Sequence, residues 1–274
     1  MPRFKLTIEY AGTRYSGWQI QKNARTVAGE IERAVREATG IRTFELYGAG
    51  RTDAGVHALA QVAHLQLDTR LDARSLQRGL NDALPADINI LHLDRAPQRF
   101  HARHDAVARS YVYQIARRRT AFAKPFVWWV RDDLDIRAMR RAAAAFVGMK
   151  DFGSFAASDG EPGSTTVLLD ALDVADRAPL ILVRVVGSHF LWRMVRRIVG
   201  VLVGVGRGAI RADAIAGLLE EQSTVPAELT APPSGLFLER VYYPGDTRAG
   251  GLGPAVFSSV DDAVVPDDRK QHAD

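Results

Sequence analysis

The chain has 274 residues, of which 47% are hydrophobic and 25% are charged, a balance typical of a soluble globular protein. No apolar run reaches the length of a membrane span, and the first residues enter a strand-like pattern directly. We therefore expect neither a membrane span nor a signal peptide. The sequence contains no cysteine, which excludes disulfides and cysteine-ligated zinc and fits a reducing, cytoplasmic location.

The positive charge is unevenly distributed along the chain. Residues 246–274 contain six acids and three bases, which leaves 33 bases and 26 acids, a net charge of +7, for residues 1–245. Most of the bases are arginine, whose planar guanidinium suits bidentate contact with phosphate. A polyanionic partner such as a nucleic acid would explain this charge, and a general arginine bias in composition would explain it equally well.

The hydrophobic pattern predicts an α+β protein built from two halves. In the first half, residues 1–105, strict alternation predicts a strand over 3–10. A helix is predicted from about Thr26 to a stop at Gly40, and Asp72 can cap a second helix. Further strands are predicted over 42–47, 61–67 and 88–93.

The second half, residues 106–245, repeats this order. The pattern predicts a strand from about residue 106, a helix capped by Asp135 and a long apolar helix over about 189–204. Its other predicted elements are strands over 165–175, 180–187 and 236–243 and a short helix over 211–221. Two α+β halves of similar build suggest an internal duplication with a ligand-holding cleft between them. Residues 246–274 are short of aromatics and rich in Asp, Gly and Pro, so we expect a disordered acidic tail.

The most informative motif is GAGRTDAGVHA, residues 48–58. Its glycines allow positive φ or a close backbone approach, and Asp53 lies two residues from Arg51. One interpretation is a tight turn in which Asp53 bonds its own backbone. The other is a carboxylate held ionised and aimed for chemistry. The residues of the loop alone leave both interpretations open.

Three further segments carry candidate chemistry. FHARH, residues 100–104, has two histidines that could ligate a metal, but no third ligand fits the pattern, and a basic loop touching phosphates fits better. HFLWRMVRRIVG, residues 189–200, predicts a helix with an apolar face and an arginine face, from which one arginine could pair with a carboxylate or a phosphate. ARSYVY, residues 108–113, puts Tyr111 and Tyr113 on one strand face, either in the core or as a stacking platform for a base.

Cofactor motifs are not found. GVGRG, residues 204–208, follows a predicted helix, whereas a dinucleotide fingerprint follows a strand, so we interpret it as a helix end and turn. The sequence has no Walker A or HExxH pattern and lacks the cysteines of zinc deaminases. These absences indicate neither nucleotide hydrolysis nor a nicotinamide cofactor.

Taken together, the motifs resemble those of tRNA pseudouridine synthases of the TruA type. The match runs in order through YAGTRYSGWQIQ, GAGRTDAGVHA, FHARH, ARSYVYQI, FLWRMVRRIVG and TAPPSGLFLERVYY and spans residues 3–244. The resemblance implies two tandem halves of an RRM-like, ferredoxin-like fold with an extended antiparallel sheet and a central basic cleft. It also implies a homodimer that isomerises uridine to pseudouridine at positions 38, 39 and 40 of the tRNA anticodon arm, with no cofactor or metal.

The resemblance assigns roles to particular residues. Asp53 matches the family's catalytic aspartate, and Arg51 matches the arginine beside it. Tyr111 matches the active-site tyrosine, and Arg196 matches the arginine near the aspartate, so we expect these four residues to be catalytic. Either arginine would keep the aspartate ionised. Contacts with tRNA are expected from Phe100, His101, Arg103, His104, Arg193 and again Tyr111.

The chain departs from the family pattern at a few positions. The family often has an arginine where this chain has Leu168 and Leu169. Trp192 and either Ser188 or His189 replace commoner residues before the long helix. These differences concern peripheral RNA contacts rather than the chemistry.

Functions of different classes fit these motifs. The first is the synthase, in which the aspartate would either attack C1′ or take a proton from the sugar. The second is a non-catalytic RNA-binding module or tRNA chaperone of the same fold, and a weaker third is a hydrolase that cleaves the base with the same carboxylate. Retention of Asp53, Arg51 and Tyr111 together favours the synthase, because a simple binder does not need a carboxylate beside RNA.

Overall fold

The computed structural model describes residues 1–157, 163–248 and 250–256. In the first half the elements are β1 (Arg3–Tyr10), α1 (Val27–Thr39), β2 (Glu45–Gly48), β3 (His57–Gln66), α2 (Ala73–Ala83) and β4 (Ile88–Ala96). In the second half they are β5 (Ala108–Ala116), β6 (Trp128–Trp129), α3 (Ile136–Ala144), β7 (Gly148–Asp151), β8 (Thr166–Arg177), β9 (Leu180–Gly187), α4 (Met194–Gly206), α5 (Ile215–Glu220), α6 (Val225–Glu228) and β10 (Leu236–Tyr242).

The ten strands of the described residues form one mostly antiparallel sheet. Its order is β4-β1-β3-β10-β5-β9-β8-β7, with β2 pairing the far end of β3 and β6 pairing β5. The first half alone runs β4-β1-β3-β2. When the short strands β6 and β7 are set aside, the second half runs β10-β5-β9-β8, which is the same order of fourth, first, third and second strand. This is the ferredoxin-like βαββαβ arrangement, so the predicted α+β fold with two tandem RRM-like halves is confirmed.

Strand β10 joins the two halves of the sheet. Its Leu238 lies opposite Ala58 of β3 in a parallel pairing and opposite Tyr111 of β5 in an antiparallel pairing. Because β3 begins directly after residues 49–56, this join places the glycine loop beside β5.

The predicted caps Asp72 and Asp135 are confirmed, and the helix predicted from about Thr26 has that residue as its cap. The side chains of Thr26, Asp72 and Asp135 accept hydrogen bonds from backbone N–H groups three residues further on, at the starts of α1, α2 and α3. Helix α1 ends at Gly40, whose φ of 71° is left-handed. Among the described residues, no helix has the length and apolar character needed to span a membrane.

The core lies between the sheet and the helices. The alternation of β1 places Phe4, Leu6 and Ile8 in it, and the helices contribute residues such as Ile31 of α1 and Ile198 of α4, all fully buried. Burying one such side chain stabilises the fold by about 1.5–3 kcal/mol relative to leaving it exposed. The pattern of apolar residues therefore fixes which face of each element meets the sheet.

The long helix predicted from residue 189 begins five residues later, at Met194. Arg193 has a left-handed backbone with φ 61°, and the Met194 N–H donates to the Leu191 carbonyl at 3.1 Å in a tight turn. A left-handed residue cannot continue a right-handed helix. Phe190, whose spacing suggested a helix, therefore lies in a loop, with its ring edge-on to Tyr111.

Some short elements escape prediction. Strands β6 and β7 and helix α6 contain four residues or fewer, too few to show a hydrophobic period. The predicted helix end at GVGRG is confirmed, because α4 stops at Gly206 and Gly208 follows with φ 74°.

The start of the expected disordered tail contacts the sheet. Arg184 of β9 donates to the carbonyls of Gly250 and Gly251 at 2.7 and 3.0 Å. The same guanidinium pairs with Glu239 of β10 at 2.7 Å. A buried arginine with these partners holds the segment against the sheet, which composition alone did not indicate. The rest of that prediction, residues 257–274, lies outside the described residues.

Candidate active site

A cleft of about 930 Å³ opens between the glycine loop, the start of β5 and the segment that precedes α4. Within the described residues, five arginines and one carboxylate line it, together with a histidine. These residues are Arg51, Asp53, Arg103, Arg109, His189, Arg193 and Arg196. The central basic cleft that we expected is therefore present, and its positive field attracts an anionic ligand.

The glycine loop, residues 49–56, rests on the segment that follows β1. The Trp18 N–H donates to the Thr52 carbonyl at 3.1 Å. The Thr52 hydroxyl lies 2.8 Å from the Tyr10 hydroxyl in a buried hydrogen bond. Because Thr52 is held at both its backbone and its side chain, the position of the neighbouring Asp53 is fixed.

Two glycines allow this segment to approach the loop. A Cβ on Gly12 would lie 1.9 Å from the Val56 carbonyl oxygen, and a Cβ on Gly17 would lie 2.5 Å from the Thr52 carbonyl oxygen. Gly17 also has φ 93°, which side chains rarely adopt. The motif YAGTRYSGW therefore supports the loop directly, a role that sequence analysis had not assigned to it.

His57 follows the glycine loop and uses both ring nitrogens. The Gly12 N–H donates to Nδ1 at 3.0 Å, which leaves Nε2 to donate to the Pro125 carbonyl at 3.0 Å. The ring packs against Phe126 and Phe237, with centroids 5.1 and 4.7 Å away. Burial lowers the pKa of His57 to about 4, so the ring is neutral at pH 7 and keeps its acceptor for Gly12.

Asp53 pairs with Arg196. The Arg196 Nη1 lies 3.1 Å from the Asp53 Oδ2, with side chains 13% and 25% exposed respectively. The Arg196 Nε donates to the Ala231 carbonyl at 2.7 Å, which fixes the direction of the guanidinium. The Val56 N–H also bonds the Asp53 carbonyl at 3.1 Å and closes the turn. The loop is therefore a turn closed by backbone groups, and the Asp53 carboxylate pairs with Arg196 instead of bonding its own backbone, as the turn interpretation had expected.

Arg51 lies in the same cleft but does not support Asp53. Its side chain is exposed, and it forms no ion pair or hydrogen bond with any residue that the structure describes. Of the two arginines that could have held the aspartate, the geometry selects Arg196. A guanidinium with no such partner in the cleft is suited to contact a ligand phosphate.

Tyr111 lines the cleft and is 9% exposed. Its ring meets Phe190 edge-on at a centroid distance of 5.0 Å. Burial raises the pKa of Tyr111 to about 12, against the opposing effect of Arg109 and with a smaller rise from Asp53. The hydroxyl is therefore protonated at neutral pH and can donate a hydrogen bond. Tyr113, on the same strand face, is fully buried in the core.

The FHARH segment contributes unequally to the cleft. Arg103 is exposed and lines it, whereas Phe100 packs against the core. The rings of His101 and His104 lie 4.2 Å apart, and neither is among the lining residues. Burial lowers the pKa of His101, and the neighbouring histidines add to this effect. Across the described part of the chain, no cluster of three His, Cys, Asp or Glu could hold a metal ion.

The three arginines predicted along one helix face have different surroundings. Arg193 and Arg196 line the cleft. Arg197 instead donates to the carbonyls of Ser154 and Ala156 at 3.2 and 2.6 Å. It therefore holds the neighbouring loop on α4 rather than facing the ligand space.

Arg109 is a cleft residue that sequence analysis missed. Its guanidinium is half-buried and forms no ion pair with a carboxylate of the described residues. It donates at 2.9 to 3.2 Å to four backbone carbonyls, those of Ala49, Arg103, Ala106 and Ser188. Arg109 thus ties the glycine loop, the FHARH segment and the turn after β9 together. The sequence did contain a sign of this position, because Arg109 lies on the same strand face as Tyr111, which was predicted to be a site residue.

A carboxylate paired with an arginine, beside a protonated tyrosine in an arginine-lined cleft, is suited to an enzyme that acts on a nucleic acid. The family model described as tRNA pseudouridine synthase matches residues 6–105 and 142–244. The chain is 41% identical over 247 residues to "tRNA pseudouridine synthase A" of Geobacter sp. (strain M21). It is 39% identical over 246 residues to "tRNA pseudouridine synthase A 2" of Bacillus cereus. Each alignment covers 89% of this chain and 100% of the relative.

The chain therefore belongs to the tRNA pseudouridine synthase family, and the resemblance drawn from the motifs is confirmed. By class the protein is an isomerase. Among solved structures, a chain titled "Crystal Structure of a Cbf5-Nop10-Gar1 Complex" aligns over 73% of this chain and 45% of its own length. Its identity is 12% and its TM-score is 0.32, a likeness too weak to bear on the site.

Proposed function

We propose that the protein converts uridine to pseudouridine at positions 38, 39 and 40 of the tRNA anticodon arm. It acts as a homodimer in the cytoplasm. The observation that carries the proposal is the ion pair of Asp53 and Arg196 in a cleft where, among the described residues, every other charged lining group is an arginine.

The reaction needs few protein groups. The C1′–N1 bond of the nucleoside breaks, the uracil ring turns, and a bond forms between C1′ and C5. The proton that leaves C5 is balanced by the proton that N1 gains. A carboxylate can assist either as a nucleophile at C1′ or by removing a proton from the sugar. Asp53 fits either role, because its partly exposed side chain lines the cleft.

The other predicted site residues divide between base and phosphate contacts. The target base must leave its stack at a cost of a few kcal/mol. Tyr111 then stacks on the flipped base or donates a hydrogen bond to it. The free guanidinium of Arg51 and the exposed Arg103 and Arg193 bind phosphates, whose contacts offset that cost. Phe100, His101 and His104 contribute RNA contacts or support at the edge of the cleft.

Both halves of the chain supply the site. Residues 1–105 provide the Asp53 loop, and residues 106–245 provide Tyr111 and Arg196, so we propose these ranges as the two domains. Since an L-shaped tRNA is larger than one cleft, a two-fold partner grips the part that extends beyond it.

The test of the activity is incubation with unmodified tRNA and mapping of pseudouridine. Asp53→Asn keeps the shape of the side chain, so we expect near-normal tRNA binding and a fall in product formation of several orders of magnitude. Asp94→Asn, at an exposed position of β4, is the matched control and should retain wild-type activity. Near-normal turnover by Asp53→Asn would exclude this aspartate, and wild-type binding without product would favour the RNA-binding module or tRNA chaperone.

The homodimer has a separate test. Analytical ultracentrifugation at micromolar concentration should give the mass of two chains, with and without tRNA. A single-chain mass under both conditions would contradict the dimer without bearing on the chemistry.

A further inference from the structure

Trp192 and Arg193 form an aromatic–cation pair in the cleft, next to the start of α4. Both side chains are exposed and line the cleft. The guanidinium carbon of Arg193 lies 4.8 Å from the Trp192 ring centroid. Although the arginine covers part of the ring, 44% of Trp192 remains exposed. A large aromatic surface is therefore accessible in the basic cleft.

The backbone around the pair is held in an uncommon conformation. Arg193 has φ 61° and ψ 3°, a left-handed conformation that residues with a side chain rarely adopt. The turn is closed by the bond from the Met194 N–H to the Leu191 carbonyl, and the Trp192 carbonyl accepts from the Ala157 N–H at 2.9 Å. Because Met194 is fully buried, the pair extends from a fixed point of the core.

The chemistry of the pair fits a nucleotide. Bases of any sequence stack on aromatic side chains, since every base has a π-face. A guanidinium over the ring adds a cation–π contact and can reach a phosphate at the same time. Trp129 offers a comparison within the chain, because it is 42% exposed and has Arg119 6.0 Å from its ring centroid. Trp129 does not line the cleft.

We propose that Trp192 and Arg193 bind a nucleotide adjacent to the target uridine. Trp192 stacks on its base, and Arg193 binds its phosphate. The inference rests on the proposed function, because it takes the RNA in the cleft to be the substrate. The pair holds the neighbouring nucleotide in place while the target base leaves its stack.

The experiment is a double-mutant cycle between protein and RNA. Binding of anticodon stem-loop RNAs is measured for wild type, Trp192→Ala, Trp192→Phe and Trp129→Ala, with an abasic nucleotide placed on one or the other side of the target. We expect Trp192→Ala to weaken binding of intact RNA about 5- to 100-fold. Trp192→Phe should retain most of the affinity, and the matched control Trp129→Ala should retain all of it.

The abasic RNAs separate stacking from a purely structural role of Trp192, because a structural role would not change the loss of affinity caused by the abasic substitution. At one of the two neighbouring positions, loss of the base should weaken binding by wild type and Trp129→Ala, but cause no further loss for Trp192→Ala. Arg193→Gln should reduce the slope of log affinity against log salt by about one unit. Equal losses from the abasic substitutions in wild type and Trp192→Ala would overturn the proposal. A shift of Trp192→Ala from dimer to monomer would also overturn it, by assigning the ring to a protein interface.

Failure of this inference is distinguishable from failure of the proposed function. Binding is measured without turnover, so coupling between Trp192 and an abasic site would support the stacking even if wild type formed no pseudouridine. Conversely, pseudouridine formation could be normal while the effects of Trp192→Ala and of the abasic substitution on binding simply add. That result would support the synthase activity and refute only the stacking on Trp192.

Discussion

Replacing His57 by glutamine should remove part of the acid sensitivity of this protein's stability. The side chain is 1% exposed and bonded through both ring nitrogens, to the Gly12 N–H and the Pro125 carbonyl. Protonation would place an N–H at Nδ1 against the Gly12 N–H and would bury a charge. Both effects oppose protonation of the folded protein, and neither operates in the unfolded chain.

The magnitude follows from the pKa of His57, which burial lowers from 6.5 to about 4. Between these values the unfolded chain binds a proton that the folded chain does not. The contribution of His57 to stability is therefore complete above pH 6.5 and is lost as the pH falls toward 4. At 1.36 kcal/mol for each pKa unit, the loss in the free energy of unfolding is about 2 kcal/mol at pH 5 and about 3 kcal/mol at pH 4.

The assay is urea unfolding at a series of pH values for wild type, His57→Gln and His92→Gln. Groups that titrate in all three proteins contribute equally, so the difference between the curves isolates His57. Between pH 7.5 and 5, wild type should lose about 2 kcal/mol more than His57→Gln. His92, exposed on β4, is the matched control, and its variant should show the full wild-type loss. Parallel curves for wild type and His57→Gln would refute the buried neutral histidine.

Three further predictions follow from single contacts. Arg109→Lys keeps the charge but cannot bond four carbonyls, so turnover of tRNA should fall at least about tenfold and the melting temperature should drop. Unchanged turnover and melting temperature would contradict the role of Arg109 in holding the three segments together. Gly12→Ala should lower the free energy of unfolding by about 1–3 kcal/mol, since the added Cβ has no space. The control is Gly217→Ala in α5, whose added Cβ would have no neighbouring atom within 4 Å, and it should be neutral or stabilising in the same unfolding assay. A chain ending at residue 256 should unfold like wild type. A chain ending at residue 249 should be about 2–4 kcal/mol less stable, because it lacks the two carbonyls that Arg184 bonds. Equal stability of the two truncated chains would refute the stabilising role of these hydrogen bonds.

Local sequence determined most of the secondary structure and the family. Alternation along β1, the start of α1 at about Thr26 and the caps at Asp72 and Asp135 depend on neighbouring residues only, and all appear where predicted. The glycine loop could be singled out because its composition is unusual over a few residues. Strands β6 and β7, helix α6 and the contact of residues 250–251 with the sheet could not be predicted, because these short segments are stabilised by partners far along the chain.

Tertiary structure decided which groups meet in the site. Arg51 is two residues from Asp53, yet the ion pair forms with Arg196, 143 residues away. The pairing requires β10 to lie between β3 and β5, which brings the second half of the chain against the loop of the first. The sequence alone determined the two halves and their motifs, since these depend on periodicity and composition. The partner of the aspartate was decided only by packing, because the distance between two side chains depends on the path of the whole chain between them.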